Sequence, residues 1–251
     1  MFDYDVVTGV SAGALNAAGL SLWPKEKTKE AIQELSDTWA GLEYGDLYKN
    51  WWFGPIRGFI DKSGLYDTSY LYRFLQKYFA SMGNHIYRKL TVASADVNSG
   101  AYVLWNETAS NLPKAVVSSA AIPFIFPNQK WSGGRVEMDG GTVYGTNLVS
   151  AVQRCKEIVG DDESRITMDI VVTQGHDIGS WDDRSTRGTQ LRFKEVKEYH
   201  DAVADIYAFK QAFPDVNFRY YVEPTAPLCK ALQMIDVTNK TVTWPMQMQG
   251  R

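Results

Sequence analysis

The sequence predicts an α/β protein whose central sheet is mostly parallel and covered by helices on both faces. Three observations carry that expectation. Short apolar runs alternate with runs of helical period along nearly the whole chain, an order that builds parallel strands joined by crossover helices. A serine stands in Gly9-Val10-Ser11-Ala12-Gly13, at the join between one such strand and one such helix. Hydrophobic residues make up 45% of the 251 positions, which supports a substantial core and excludes disorder.

The elements follow in order. Tyr4 to Thr8 reads as a buried strand and Ala14 to Leu20 as a helix of small residues. Pro24 opens an amphipathic helix in which Ile32, Leu35, Trp39 and Leu42 recur at helical spacing. An irregular aromatic stretch runs from Trp51 to Ile60. Asp67 or Ser69 then caps a helix whose Leu71, Phe74, Leu75 and Tyr78 share a face. Lys89 to Ser94 is a strand, Asp96 to Gly100 a turn, and Ala101 to Trp105 the returning strand. A helix from Ala115 to Ala121 stops at Ile122-Pro123. Arg135 to Met138 is a strand that runs into Asp139-Gly140-Gly141, and a helix carrying Leu148, Val152 and Cys155 follows. Ile166 to Val172 is a strand, Gln174 to Gln190 a polar loop, and Phe193 to Phe213 the longest helix, with Val196, Val203 and Tyr207 inward. Phe218 to Val222 is the last strand. No repeat or Gly/Ser-rich linker divides the chain.

Composition also excludes functions. A net charge of −3 with no basic run argues against nucleic acid as a partner. Two cysteines, Cys155 and Cys229, cannot build a disulfide framework, so reduced thiols and an intracellular setting, cytoplasmic or at a membrane surface, are expected; Cys155 reads as a buried structural thiol. The sequons at Asn106 and Asn239 carry no weight without a secretory signal. No apolar run is long enough to span a bilayer. His, Cys and acidic residues nowhere cluster at ligand spacing, so neither metal nor cofactor is expected.

The chemistry begins at Ser11. A G-x-S-x-G turn between strand and helix is the signature of a nucleophile elbow. Its tightness is expected to force glycine at both Gly9 and Gly13, to strain the serine backbone, and to set Ser11 beside free N–H groups at a helix N-terminus. The N–H of Ala12 is the oxyanion donor at hand. An elbow serine needs a base. Asp139 ends a strand and precedes Gly140 and Gly141, glycines that permit a reversal and a close backbone approach; an aspartate acting directly on serine needs its pKa raised by burial away from cations. The plain alternative is an Asp-Gly turn in which Asp139 only bonds its own backbone. Among the histidines, His85 lies in a polar connection and His200 beside the apolar stripe of the longest helix. His176 follows a strand and stays a candidate base.

Several segments together resemble the patatin-like phospholipases. They are Asp5 to Ala14 around the elbow, Gly64-Leu65-Tyr66-Asp67-Thr68-Ser69, Ala95-Asp96-Val97-Asn98-Ser99-Gly100, Ser118-Ser119-Ala120-Ala121-Ile122-Pro123-Phe124-Ile125-Phe126-Pro127, and Met138-Asp139-Gly140-Gly141 followed by Asn147. The resemblance implies a three-layer α/β/α fold over 1–251 as one domain, with a Ser11–Asp139 dyad cleaving acyl esters of lipids. Ser118 and Ser119 read as packing a helix end, and Asp96 as forming a turn. The family's glycine-rich oxyanion loop, with its strand and first helix, precedes the elbow and is not in this sequence, so an N-terminally truncated chain of reduced activity is expected. Two other readings stay open. One is a catalytically inactive lipid- or membrane-binding module, and the other an α/β-hydrolase with a Ser-Asp-His triad through His176. Trp51, Trp52 and Phe53 read either as a membrane-contacting patch beside Arg57 and Lys62 or as core under a long loop.

Overall fold

The computed structural model describes residues 3–43, 45–52, 60–173, 179–182 and 185–224. Phe53, Ile56, Arg57, Phe59, His176, Cys229 and the Asn239 sequon lie outside the described residues. The chain divides into two compact units, 1–154 and 155–251.

The first unit is built on a mixed five-stranded sheet. Strand β1 (Val6–Val10) leads through Ser11 into helix α1 (Ala12–Ser21), and α2 (Thr28–Gly41) follows a short 3₁₀ turn after Pro24. A two-residue pair, β2 (Lys49–Asn50) and β3 (Tyr66–Asp67), precedes α3 (Ser69–Ser81). Then come β4 (Lys89–Asp96), β5 (Tyr102–Asn106), α4 (Leu112–Ser119), β6 (Gln129–Lys130), β7 (Val136–Asp139) and α5 (Leu148–Val159). β4 is the organising strand. Leu90, Val92 and Ser94 on one face and Ala93 and Ala95 on the other are all 0% exposed, so both faces are covered, as a central strand of a layered α/β sheet requires.

The register around β4 decides where the site lies. β1 runs parallel to it, pairing Val6 with Lys89 through Val10 with Ala93. β5 runs antiparallel along Thr91 to Ala95. β7 runs antiparallel and pairs Ser94 with Asp139, Ala95 with Met138 and Asp96 with Glu137. A strand has two edges, and at any residue each edge holds one neighbour. β1 and β5 overlap at Thr91 to Ala93, and β5 and β7 overlap at Ser94 and Ala95, so β1 and β7 share the edge opposite β5. They run towards each other and stop at adjacent β4 residues, Ala93 and Ser94.

Small side chains let the helices close on this sheet. α1 buries Ala14, Ala17, Ala18 and Gly19, and a Cβ on Gly19 would come within 2.4 Å of Leu35 Cδ2, so that glycine admits α2. In consequence α2 buries Thr28 and Ala31 while Ile32 turns outward at 54% exposure, against the expected inward stripe. α3 buries Leu71, Leu75 and Phe79, and its first N–H bonds Asp67 Oδ1 at 2.9 Å. α4 starts three residues before the expected Ala115, because the Asn111 side chain caps it, accepting from Lys114 N at 3.1 Å, and Pro113 suits its first turn.

In the second unit β8 (Thr167–Val171) pairs in parallel with β9 (Asn217–Val222). Arg219 grips Asp169 through Nε at 3.0 Å and Nη2 at 2.6 Å. Helix α6 (Thr186–Ala212) begins seven residues before the expected Phe193, because the Ser185 hydroxyl caps it from Gly188 N at 3.0 Å. Ile206 and Phe209 are buried on it; Val196 and Val203 are half-buried, and Tyr207, expected inward, is 67% exposed. Cys155 on α5 is half-buried rather than buried. Among the described residues no helix is long and apolar enough to cross a membrane.

Arg88 anchors the start of the sheet. Only 4% exposed, its guanidinium donates to the carbonyls of Tyr4, Trp23 and Pro24 at 3.2 Å and to Thr28 Oγ1 at 2.8 Å. Arg88→Ala should lower unfolding free energy by roughly 2–4 kcal/mol, because it strands several buried acceptors at once. Urea unfolding checks this, with Lys25→Ala, which breaks only an exposed pair with Asp5, expected to leave the midpoint in place.

Candidate active site

Ser11 stands where β1 becomes α1, with φ 56° and ψ −126°. A side-chain-bearing residue rarely adopts that backbone. The hydroxyl makes no capping bond to α1 and is left for other work. The turn is closed by Ala14 N donating to the Ser11 carbonyl at 2.9 Å. A Cβ at Gly9 would stand 2.1 Å from the Gly13 carbonyl oxygen, so glycine is obligatory there. Gly13 departs from the expectation: a Cβ at that position meets nothing within 4 Å. The contact that tightens the elbow is made by the backbone of residue 13, not by its Cα substituent.

Asp139 ends β7, next along the β4 edge from Val10, which brings its carboxylate to Ser11. It is 4% exposed. Its Oδ1 accepts from Gly141 N at 2.8 Å, the self-bonded turn of the plain reading. Oδ2 is buried without a hydrogen-bond partner, so one carboxylate serves the turn with one oxygen and leaves the other bare. The two glycines have different reasons. A Cβ on Gly140 would lie 2.3 Å from the Ala93 carbonyl, and one on Gly141 3.1 Å from Asp139 Oδ1. Burial pushes the Asp139 carboxyl up to about 6, while the Ser11 hydroxyl and Gly141 N–H pull the other way; the hydroxyl acts from short of hydrogen-bond geometry.

A second acid lies two residues earlier on the same face of β7. Glu137 is 0% exposed. Its Oε2 accepts from Ser94 Oγ at 2.7 Å and Trp105 Nε1 at 3.1 Å. Its Oε1 lies 2.8 Å from Arg135 Nε, an ion-pair distance off the hydrogen-bond line. Arg135 in turn lies over Trp105 and Trp131, whose rings stack at 4.2 Å. Glu137 is thereby matched to donors and a cation, which leaves Asp139 as the carboxylate with a bare oxygen.

The remaining expected residues divide clearly. Ala12 is the first residue of α1, where an N–H has no intrahelical acceptor. His85 is exposed and packs edge-on to Tyr87. His200 is exposed on α6 beside Tyr199 rather than satisfied in a core. Asp96 forms its expected turn, accepting from Asn98 N at 2.8 Å. Ser118 packs the end of α4, accepting from Trp131 Nε1 at 3.0 Å. Ser119 does more than the sequence suggested: its hydroxyl accepts the N–H of Ser11 at 3.0 Å. Asn147 is buried, and its carbonyl accepts from Thr8 Oγ1 at 3.3 Å. Among the described residues no group of three His, Cys, Asp or Glu is placed to hold a metal.

A small apolar hollow lies between α1, α2 and α3. Leu15 and Gly19 of α1 line it, with Trp39, Leu71, Phe74 and Phe79 opposite. It includes neither Ser11 nor Asp139, but Leu15 sits one helical turn beyond the serine.

Comparison with a family model agrees with the family resemblance. The family model described as patatin-like phospholipase matches residues 1–152. No curated protein matches the sequence. A solved structure described as VipD from Legionella pneumophila aligns with 12% identity and a TM-score of 0.31, over 95% of this chain and 45% of that one; this chain thus spans under half that protein's length.

Two outcomes follow from the geometry. Gly9→Ala should abolish soluble folded protein, whereas Gly13→Ala should fold with a thermal midpoint near that of the parent; circular dichroism melts decide it. Asp139→Asn should stabilise the fold above pH 6 and have little such effect near pH 4. The folded carboxyl titrates near 6 against 3.8 when unfolded, so folding favours its protonated form. The penalty is absent below the unfolded value, grows as pH rises between the two, and is complete above the folded value. The difference between those two values corresponds to about 3 kcal/mol, read as the difference in unfolding free energy between variant and parent at pH 8 and pH 4.

Proposed function

Because the chain belongs to the patatin-like phospholipase family, we propose that it is a serine acyl hydrolase that cleaves ester bonds of lipids, with Ser11 as nucleophile and Asp139 as base. The observation that carries this reading is the head-on arrival of β1 and β7 on one edge of β4, with a bare carboxylate oxygen at the join. Asp139 takes the Ser11 proton as Oγ attacks the ester carbonyl carbon, and the carbonyl electron pair moves onto oxygen. The Ala12 N–H donates to that oxyanion, a kind of contact that typically contributes about 2.7–4 kcal/mol to the transition state. Collapse expels the alcohol, which leaves with the proton held by Asp139. Water then attacks the acyl carbon while Asp139 takes its proton, and collapse releases the carboxylic acid as Asp139 returns that proton to the departing Ser11 Oγ.

A base that titrates near 6 is ionised at neutral pH and still strong enough to accept a proton.

Exposed large apolar side chains support contact with a lipid surface. Trp52 is 80% exposed, Ile60 72% and Phe124 69%. Trp52 and Phe124 belong to one neighbourhood, since Trp51 Nε1 donates to the Gly64 carbonyl at 3.0 Å and Gly64 pairs with Phe124. The same patch favours the second reading, a lipid-binding module without turnover. A fluorophosphonate probe separates the two, since it labels only a live nucleophile.

Ser11→Ala and Asp139→Asn are each expected to cut ester hydrolysis at least a thousandfold while far-UV dichroism stays unchanged, and the parent should show an acid limb in kcat/KM near pH 6. Full activity in Asp139→Asn with loss in His176→Ala would move the base to histidine. Trp52→Ala with Phe124→Ala should weaken co-sedimentation with phospholipid vesicles on the order of tenfold or more, each large side chain being worth roughly 1.5–3 kcal/mol in lipid; unchanged co-sedimentation would take these aromatics out of the membrane contact.

A further inference from the structure

The backbone of Ser11 is strained, and a strained conformation persists only where the surroundings over-determine it. Two restraints are local: the Gly9–Gly13 approach and the bond from Ala14 N to the Ser11 carbonyl. The third comes from 108 residues away, where the hydroxyl of Ser119 accepts the Ser11 N–H at 3.0 Å. Ser119 is 0% exposed and closes α4. Two residues on, the Ala121 carbonyl accepts the N–H of Asp139 at 3.0 Å. One short segment therefore holds the main chain of both Ser11 and Asp139, by a side chain at one end and a carbonyl at the other.

We infer that Ser119 is a positioning residue for the reaction, fixing the Ser11 backbone and, together with the Ala121 carbonyl, setting the nucleophile against its base. This rests on the hydrolase reading above. The register of β1 and β7 on β4 brings the two residues together, but no pairing joins β1 to β7 directly where they meet. The end of α4 supplies that tie. The bond also occupies the nucleophile's own N–H, so Ser119 leaves oxyanion binding to the next amide, that of Ala12. Ser118 is a natural control: it is equally buried on the same helix end, yet its hydroxyl serves Trp131.

The test is the second-order rate of fluorophosphonate labelling, per folded molecule, in the 251-residue chain, with kcat and KM for a dissolved ester beside it. Ser119→Ala is expected to slow labelling and lower kcat by at least tenfold with KM within about twofold, because small misplacements of a reacting group are costly. Ser118→Ala is expected to label at the parental rate even where its melting temperature falls. If Ser119→Ala does not fold, Ser119→Cys is nearly isosteric and a weak acceptor, and should fold and label slowly. Parental labelling by a folded Ser119 variant, or equal losses in the Ser118 and Ser119 variants, would overturn the inference. Absence of labelling in the parent would overturn the hydrolase reading and this inference with it, an outcome distinct from the other two.

Discussion

The site depends on the way one edge of β4 is shared. A strand edge is usually occupied by a single partner along its length, but here β1 takes the first part and β7 the rest, from opposite directions. Where two strands meet end to end, both must leave the sheet, and the residues at the meeting point are pushed together out of the hydrogen-bonded ladder. The elbow after Val10 and the turn after Asp139 are those two exits. Gly140 is required because its Cα passes against the Ala93 carbonyl on β4, at the last β4 residue paired with β1. Replacing either exit by a longer strand would bring the two strands into collision, so sheet register brings Ser11 and Asp139 together before any side chain is chosen.

The electrostatics follow from that placement. β7 directs two acids, Glu137 and Asp139, to one face, and the protein treats them oppositely. Glu137 is surrounded by the Trp105 indole, the Ser94 hydroxyl and the Arg135 guanidinium. Asp139 is desolvated by burial, which lifts its carboxyl to about 6 against the opposing pull of the Ser11 hydroxyl and the Gly141 N–H. An ionised group held in that state opposes folding at neutral pH, and the covered faces of β4 with the Arg88 anchor supply the stability that offsets it.

Much of this was legible in the sequence. The elbow, the strand before Asp139, the hairpin of β4 and β5 and the two ends of the α/β pattern all declare themselves through local periodicity and glycine placement. What escaped has physical reasons. The two-residue strands β2, β3 and β6 are too short to show any period. The true start of α4 was signalled by Asn111 and Pro113, and that of α6 by Ser185, cap residues that precede the apolar stripe and are easily read as loop. The orientation of β7 could not be read at all, since a strand ending in Asp-Gly-Gly looks the same whether it runs with its neighbour or against it. Ser119 was hidden because its partner lies far along the chain. Its one visible trait, a pair of small polar residues after the apolar Ala115-Val116-Val117, was compatible with simple packing.

The difference between Gly9 and Gly13 bears on how such elbows are recognised. The usual pattern treats its two glycines as equivalent letters, yet here one is closed to every other residue by a carbonyl 2.1 Å from its Cβ position and the other faces open space. Pattern searches that weight both equally will discard chains whose elbows are sterically sound, with alanine or serine at the second position. A grammar of the motif written in contacts rather than letters would keep the first glycine fixed and let the second drift.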